Sequence, residues 1–402
     1  MNIFSKAYCR IYQTILRVFL PFLPYREPEI LLSYEDILKV LNENGYDNIM
    51  LVTGKTVRGL GLTKNLEEIL VNDGIDVSVF DKTQVNPTTE NIEQGVEMYK
   101  ENQCQCLVAM GGGSVIDCAK GIGARISCPH KSLKDMKGLL KVNRILPMLI
   151  AIPTTAGTGS ETTLSAVITD SETHRKFVIN DFDLIPNYAL LDAKLTLNLP
   201  QSTTATTAMD ALTHAVEAYI GRSTTASTRK NALTAIKLII ENLENAYNDG
   251  TNLQARKRLL KASYQAGLAF SKSYVGYVHA IAHSLGGKYN ISHGFANAII
   301  LPKMLRMYGK SIYNKMFKIA KFVGICDENT PKEEACEKLI QKIEEMNKNL
   351  NIPSKINCIK EVDILNLAKV AVKEANPLYP VPKLFSAKEL VSIYRDLMER
   401  KK

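Results

Sequence analysis

A change of hydrophobic rhythm near Leu199-Pro200 constrains this chain more than any other feature. Before it, short apolar runs alternate with helical patterns. Strands are predicted over 48–53, 76–80, 106–110 and 146–152, and helices over 57–72, 88–102 and 114–127. Strands alternating with helices of this length imply βαβ units, right-handed crossovers and a parallel sheet. Residues 165–180 depart from this, because two β-rich runs flank a polar turn at 170–173, as in a hairpin. Beyond the change the periodicity is helical almost to the end, with helices expected over 204–220, 226–247, 254–270, 275–288, 294–308, 312–323, 331–349, 361–374 and 387–399. The predicted fold class is therefore an α/β N-terminal domain with a parallel, Rossmann-like sheet over 1–200, carrying a helical extension at 1–28, followed by an all-α domain over 201–402. No repeat or low-complexity linker separates them, so the cleft between them is the expected place for a ligand.

Composition narrows the function classes. Hydrophobic residues make up 46% of the 402, enough for a full core, which excludes disordered and fibrous chains. The 50 Lys and Arg residues exceed the 41 acids by nine, and they are interspersed with those acids, so no nucleic-acid partner is implied. No run approaches the roughly 20 apolar residues that span a bilayer, so no integral membrane association is expected. The first 26 residues lack acids, and Ile11, Ile15, Val18 and Phe19 share one helical face. That segment admits a transit peptide, a membrane-surface helix, or an extra helix packed on the body or at a subunit contact. The last is the reading adopted here. The eight cysteines include no CxxC pair and several sit in apolar segments, as in a reduced, cytoplasmic protein.

Four constellations carry chemistry. Gly111-Gly112-Gly113-Ser114 follows an apolar strand and opens a helix that carries Asp117. Glycines let backbone N–H groups approach a ligand, and a helix N-terminus favours a phosphate, although the same turn also serves tight packing. The GxGxxG pattern is absent. A second stretch, residues 154–161 (TTAGTGSE), places hydroxyls at the end of the 146–152 strand, where ligands of open parallel sheets lie. Asp210 and His214 stand at i and i+4 on one helix, and so do His279 and His283 in an apolar helix, with His293 ten residues further on. Six histidines serve the whole chain, and three fall within one fifteen-residue window. Imidazoles gathered with a carboxylate suit a first-row divalent metal.

These stretches resemble the iron-containing (group III) alcohol dehydrogenases, relatives of glycerol dehydrogenases and dehydroquinate synthases. The resemblance rests on GGGSVIDCAKG (111–121), AIPTTAGTGSE (151–161), MDALTHAVEAY (209–219) and VHAIAHSLGGKYNISHGFANAIILP (278–302), with VNPT (85–88) and ANPLYPVP (375–382). It implies metal ligation by Asp210, His214, His279 and His293, and leaves His283 beside the nicotinamide and substrate as a proton relay. For the cofactor it implies Gly112, Gly113 and Ser114 at the pyrophosphate, and Asp117, Thr154, Thr155 and Thr158 around the nicotinamide and ribose. Asn86 lies on the adenosine side, and Lys176 matches a cofactor-contacting position.

One position departs from a common pattern. NAD-preferring relatives often carry an acid after the first strand, whereas Gly54 and Lys55 stand here, which favours NADP or NADPH while leaving NAD open. Three neutral imidazoles and one carboxylate leave a divalent ion with net positive charge, able to draw an alcohol oxygen and lower its pKa. The expected metal is Fe(II) or Zn(II), the expected reaction hydride exchange between a nicotinamide and a small primary alcohol or aldehyde, and the expected assembly a homodimer. A glycerol or diol dehydrogenase, and a lyase of the dehydroquinate synthase type, are the alternatives. The apolar residues around His279 and His283 argue against the lyase.

Overall fold

The computed structural model describes residues 1–399, which divide into two compact units, one of residues 24–198 and one of residues 1–23 with 199 onward. Helix α1 (Ile3–Phe19) opens the chain and belongs to the second unit. The α/β unit then runs β1 (Glu29–Leu31), α2 (Tyr34–Glu43), β2 (Asn48–Val52), α3 (Lys55–Gly59), α4 (Lys64–Asn72), β3 (Asp76–Phe80), α5 (Thr89–Glu101), β4 (Cys106–Gly111), α6 (Gly113–Ser127), β5 (Gly138–Leu139), β6 (Leu149–Pro153), β7 (Ser165–Thr169), β8 (Lys176–Asn180) and β9 (Tyr188–Leu190).

Six strands form one parallel sheet in the order β1-β9-β6-β4-β2-β3. Successive side chains of a strand face opposite ways, so each central strand feeds two cores. Ile49 and Leu51, Cys106, Val108 and Met110, and Ile150 and Ile152 pack on one face with α2 and α4. Met50 and Val52, Leu107 and Ala109, and Leu149 and Ala151 pack on the other with α5 and α6, where Ile92, Val96 and Tyr99 point inward. The continuous apolar runs of the sequence are thus strands buried on both sides. The expected hairpin is present, with β7 and β8 antiparallel and β5 added beside β8. The helix predicted over 57–72 is two helices instead. Gly61 adopts a positive φ of 68° between α3 and α4, a left-handed turn that stops one helix before the next begins.

The other unit adds α7 (Gln201–Ile220), α8 (Ala226–Asn248), α9 (Leu253–Ser273), α10 (Tyr277–Tyr289), α11 (His293–Tyr308), α12 (Tyr313–Phe322), α13 (Lys332–Asn349), α14 (Glu361–Ala375) and α15 (Ala387–Leu397). Helix α7 is buried on nearly all sides from Ala205 to Ile220, among α8, α9 and α11. A helix apolar all round belongs at the centre of its bundle.

The N-terminal extension corrects the expected domain grouping, because α1 packs with the helices rather than with the α/β domain. Gln13 is buried and its Nε2 donates to the carbonyls of Tyr379 (2.7 Å) and Pro377 (3.2 Å). The Arg10 guanidinium donates to those of Val381 and Pro382 at 2.8 and 3.0 Å. These bonds satisfy buried carbonyls of an irregular segment, which otherwise carry a desolvation cost.

Candidate metal centre and cofactor cradle

Asp210, His214 and Glu217 lie at i, i+4 and i+7 on α7, and so share one face of that helix. His279 and His283 come from α10, and His293 is the first residue of α11. Two glycines permit the close approach of these helices. A Cβ on Gly294 would stand 2.2 Å from the Thr206 carbonyl oxygen, and one on Gly276 would stand 2.5 Å from Glu217 Oε1. A side chain at Gly294 would push α11 away from the α7 backbone, and one at Gly276 would displace the Glu217 carboxylate.

Asp210, His214, His279 and His293 converge so that one ligand atom of each lies within 4.8 Å of the others. Asp210 Oδ1 stands 3.5 Å from His293 Nε2 and 3.8 Å from His279 Nε2, and it accepts from Asn297 Nδ2 at 2.6 Å. The His214 and His279 rings stack at 4.4 Å, and Phe270 covers the other face of His214 at 4.0 Å. Burial raises the pKa of Asp210, and burial with the neighbouring imidazoles lowers that of His279 well below its ordinary value. A neutral imidazole is the form that can ligate.

His279 is paired with a buried carboxylate that selects its tautomer. Glu217 is buried, and its Oε2 faces His279 Nδ1 at 2.7 Å while accepting from Gly276 N–H at 2.7 Å. Its Oε1 accepts from Val278 N–H at 2.9 Å. Burial pushes the Glu217 pKa up to about 7, against the pull of these donors. When Glu217 is ionised its carboxylate only accepts, so His279 then donates from Nδ1 and leaves a lone pair on Nε2. That Nε2 is buried and has no hydrogen-bond partner among the described residues. An oriented lone pair without a donor, beside a buried carboxylate and two more imidazoles, fits a divalent cation of the Fe(II) or Zn(II) kind.

His283 stands outside this set, half-exposed, with its ring stacked on that of His293 at 5.0 Å. Its Nδ1 pairs with Glu374 Oε1 at 2.6 Å, which also accepts from the Tyr379 hydroxyl at 2.9 Å. The remaining histidines, His130 and His174, are exposed.

In the α/β unit most of the expected cofactor residues follow the carboxyl ends of β2, β4 and β6. Strands β4 and β6 end side by side, Gly111 against Pro153, and Thr154 N–H donates to the Gly111 carbonyl at 3.0 Å. Gly112 caps α6 without a side chain, and a Cβ on Gly113 would lie 2.8 Å from Thr158 Oγ1. The first turn of α6 therefore presents backbone N–H groups beside the side chains of Thr155 and Thr158, the setting a pyrophosphate requires. Ser114 Oγ accepts from Asn86 N–H at 3.2 Å, and Asn86 Oδ1 accepts from Lys176 Nζ at 2.6 Å, which brings these three together at one rim. Gly54 follows β2 and precedes Lys55 at the start of α3.

Asp117 is placed differently from the rest. Both its oxygens are taken up within the protein, Oδ1 by the Ser160 hydroxyl at 2.5 Å and Oδ2 by Val167 N–H at 3.0 Å. One turn later, Lys120 is fully buried and donates to the carbonyls of Ser160, Thr163 and Ser165 at 2.7, 2.7 and 2.9 Å. Burial lowers its pKa to about 8, while Asp117 and Glu161 pull it up. Together Asp117 and Lys120 hold the 154–165 loop against α6. Sequence reasoning passed over Lys120, although a lone cation in the small-residue stretch DCAKGIGA is a visible signal.

Residues 32–193 match the family described as iron-containing alcohol dehydrogenase, and residues 204–398 match the C-terminal part of the same family. The chain belongs to the iron-containing alcohol dehydrogenase family. It is 38% identical over 356 residues to a 1,3-propanediol dehydrogenase of Citrobacter freundii, covering 87% of this chain and 91% of that one. An NAD-dependent methanol dehydrogenase of Bacillus methanolicus is 35% identical, covering 83% and 88%, and an NADPH-dependent butanol dehydrogenase of Clostridium saccharobutylicum is 33% identical, covering 78% and 80%. The crystal structure of a 1,3-propanediol oxidoreductase superposes with a TM-score of 0.88 at 36% identity, covering 93% of this chain and 99% of the other. The protein is thus an NAD(P)-dependent oxidoreductase of that family, and the Asp/His cluster described above has the donor set and spacing to hold a metal ion.

Proposed function

We propose that the chain interconverts a small primary alcohol and its aldehyde with NADP or NADPH, the glycine-rich cradle serving the cofactor and the histidine cluster the metal. The observation that carries this reading is the His279 Nε2 lone pair, oriented by Glu217 toward Asp210 and left without a donor. Asp210, His214, His279 and His293 would hold the metal, which supplies Lewis acidity toward the oxygen of the substrate. A bound nicotinamide would give hydride to the aldehyde or take it from the alcohol, and the first turn of α6 would hold its pyrophosphate.

The protein's own part is positioning and proton handling. Phe270 and the apolar side chains of α10 exclude water from the His214 and His279 rings. His283, paired through Nδ1 with Glu374 and half-exposed, is the residue we assign to give or take the proton of the alcohol. A small substrate is supported by relatives that act on methanol, butanol and 1,3-propanediol, the last of which keeps a diol as the second reading. A homodimer is the assembly we expect, and eight free cysteines, six of them buried, suit a reducing compartment such as the cytoplasm.

Preference for NADPH rests on Gly54. Its φ is negative, and a Cβ there would meet only ordinary contacts, at 3.6 and 3.8 Å, so an acid would fit without strain and is simply missing. The expected result is a kcat/KM with NADPH at least equal to that with NADH, measured on a panel of aldehydes from loss of the reduced nicotinamide. Gly54→Asp then lowers the NADPH value by roughly tenfold or more while sparing NADH, through repulsion of the 2′-phosphate. A much higher kcat/KM with NADH in the unaltered enzyme rejects the preference.

A further inference from the structure

Helix α1 lies ahead of both family matches, the first of which begins at residue 32, so nothing in the shared site accounts for it. It has two unlike faces. Cys9 and Gln13 are buried against the helical unit. On the other side Phe4, Tyr8, Ile11, Ile15, Val18 and Phe19 recur every three or four residues and stand exposed, Phe4 at 82%, Ile11 at 61% and Phe19 at 57%, and Phe22 just beyond the helix is 80% exposed. A stripe this long and this apolar is uncommon on a surface facing only water.

The charge around it has one sign. No Asp or Glu occurs before Glu27, and Lys6 and Arg17 project from α1 into solvent. Arg222, Arg229 and Lys318, all exposed, lie close enough to act with Arg17 on the half-buried Lys315, whose pKa falls to about 8 through burial first and then through these four like charges. Arg10 is held in the same neighbourhood, with Arg222 as its like-charged neighbour. A second copy meeting this face about a two-fold axis would set one cationic cluster beside its duplicate. An anionic bilayer complements both features at once, since its acyl boundary takes the apolar stripe and its headgroups take the flanking cations.

We propose that α1, with the exposed basic cluster of Arg17, Arg222, Arg229 and Lys318, is a docking surface for an anionic lipid membrane, on which the protein lies peripherally. Among the described residues no helix is long and apolar enough to cross a membrane, so binding is in the plane of the surface.

The full-length enzyme is mixed with vesicles of phosphatidylcholine plus phosphatidylglycerol, or of phosphatidylcholine alone, and the bound fraction is read by flotation. The expected result is binding to the anionic vesicles that weakens as salt is raised and is much weaker on neutral ones. Phe4→Asp, Ile11→Asp and Ile15→Asp together abolish it, and Arg17→Glu with Lys318→Glu lowers partitioning by roughly tenfold or more, both with aldehyde reduction in solution unchanged. No binding to either vesicle overturns the proposal. So does equal binding to both kinds, or loss of self-association in the apolar triple variant without any lipid binding, which would make the face a contact between copies.

Discussion

Replacing His279 with Ala removes bound metal and turnover together. His279 is the one member of the four-donor cluster whose ring nitrogen is both backed by a buried carboxylate and left with no hydrogen-bond partner among the described residues. Without it, Asp210, His214 and His293 lack one donor on the α10 side, and a three-donor group holds a labile ion less firmly. Lewis-acid assistance contributes several kcal/mol, so turnover falls on the order of a thousandfold or more. Metal content by elemental analysis, kcat with saturating NADPH, and circular dichroism to establish that the helices persist are the three readings. His283→Ala removes a ring that stacks on His293 but none of the four converging donors, so it keeps its metal and serves as the control. A His279→Ala protein that stays folded and works without metal would sink the site assignment.

Glu217→Gln is the second large effect, and it reports on orientation rather than ligation. Glu217 accepts three N–H groups, from Gly276, Val278 and His279, with two oxygens that have no proton to offer. A glutamine retains one acceptor oxygen and turns an NH₂ group toward N–H donors. If it faces His279, the ring loses the bond that holds its Nδ1 proton, and its Nε2 no longer has a fixed role. Replacement of a carboxylate behind a metal-bound histidine costs roughly ten- to a hundredfold in metal affinity. The unpaired buried donors cost about 1–3 kcal/mol of folding stability besides. Metal titration of the stripped protein separates the two effects, because a purely structural change lowers the melting temperature without weakening the ion bound by the protein that remains folded. Metal affinity equal to that of the unaltered enzyme would show that Glu217 supports the fold alone.

Much of this arrangement is legible in the chain, and the reasons differ from element to element. Nine helices after residue 200 appear within a few residues of their predicted bounds, because each keeps a long apolar period. Asp210 with His214, and His279 with His283, are readable because a helical spacing places side chains on one face whatever the surroundings. Strands β1 and β9, each three residues long, escape notice because so short a run holds no period. Glu217 escapes for another reason. It sits in plain view on the motif helix, but its meaning comes from backbone N–H groups of Gly276 and Val278, about sixty residues away, which only the packing of α10 on α7 supplies. The grouping of α1 with the helical unit depends likewise on bonds from Arg10 and Gln13 to carbonyls near residue 380, and no local pattern encodes those.

The most direct measurement of the central claim is aldehyde reduction by enzyme stripped of metal and then reconstituted anaerobically with Fe(II) or Zn(II), followed by the loss of reduced-nicotinamide absorbance. The four-donor cluster predicts that the stripped enzyme is folded but inactive, that one of these ions restores turnover at about one ion per chain, and that His279→Ala is not rescued. Full activity in the stripped enzyme, unchanged on adding either ion, would contradict it.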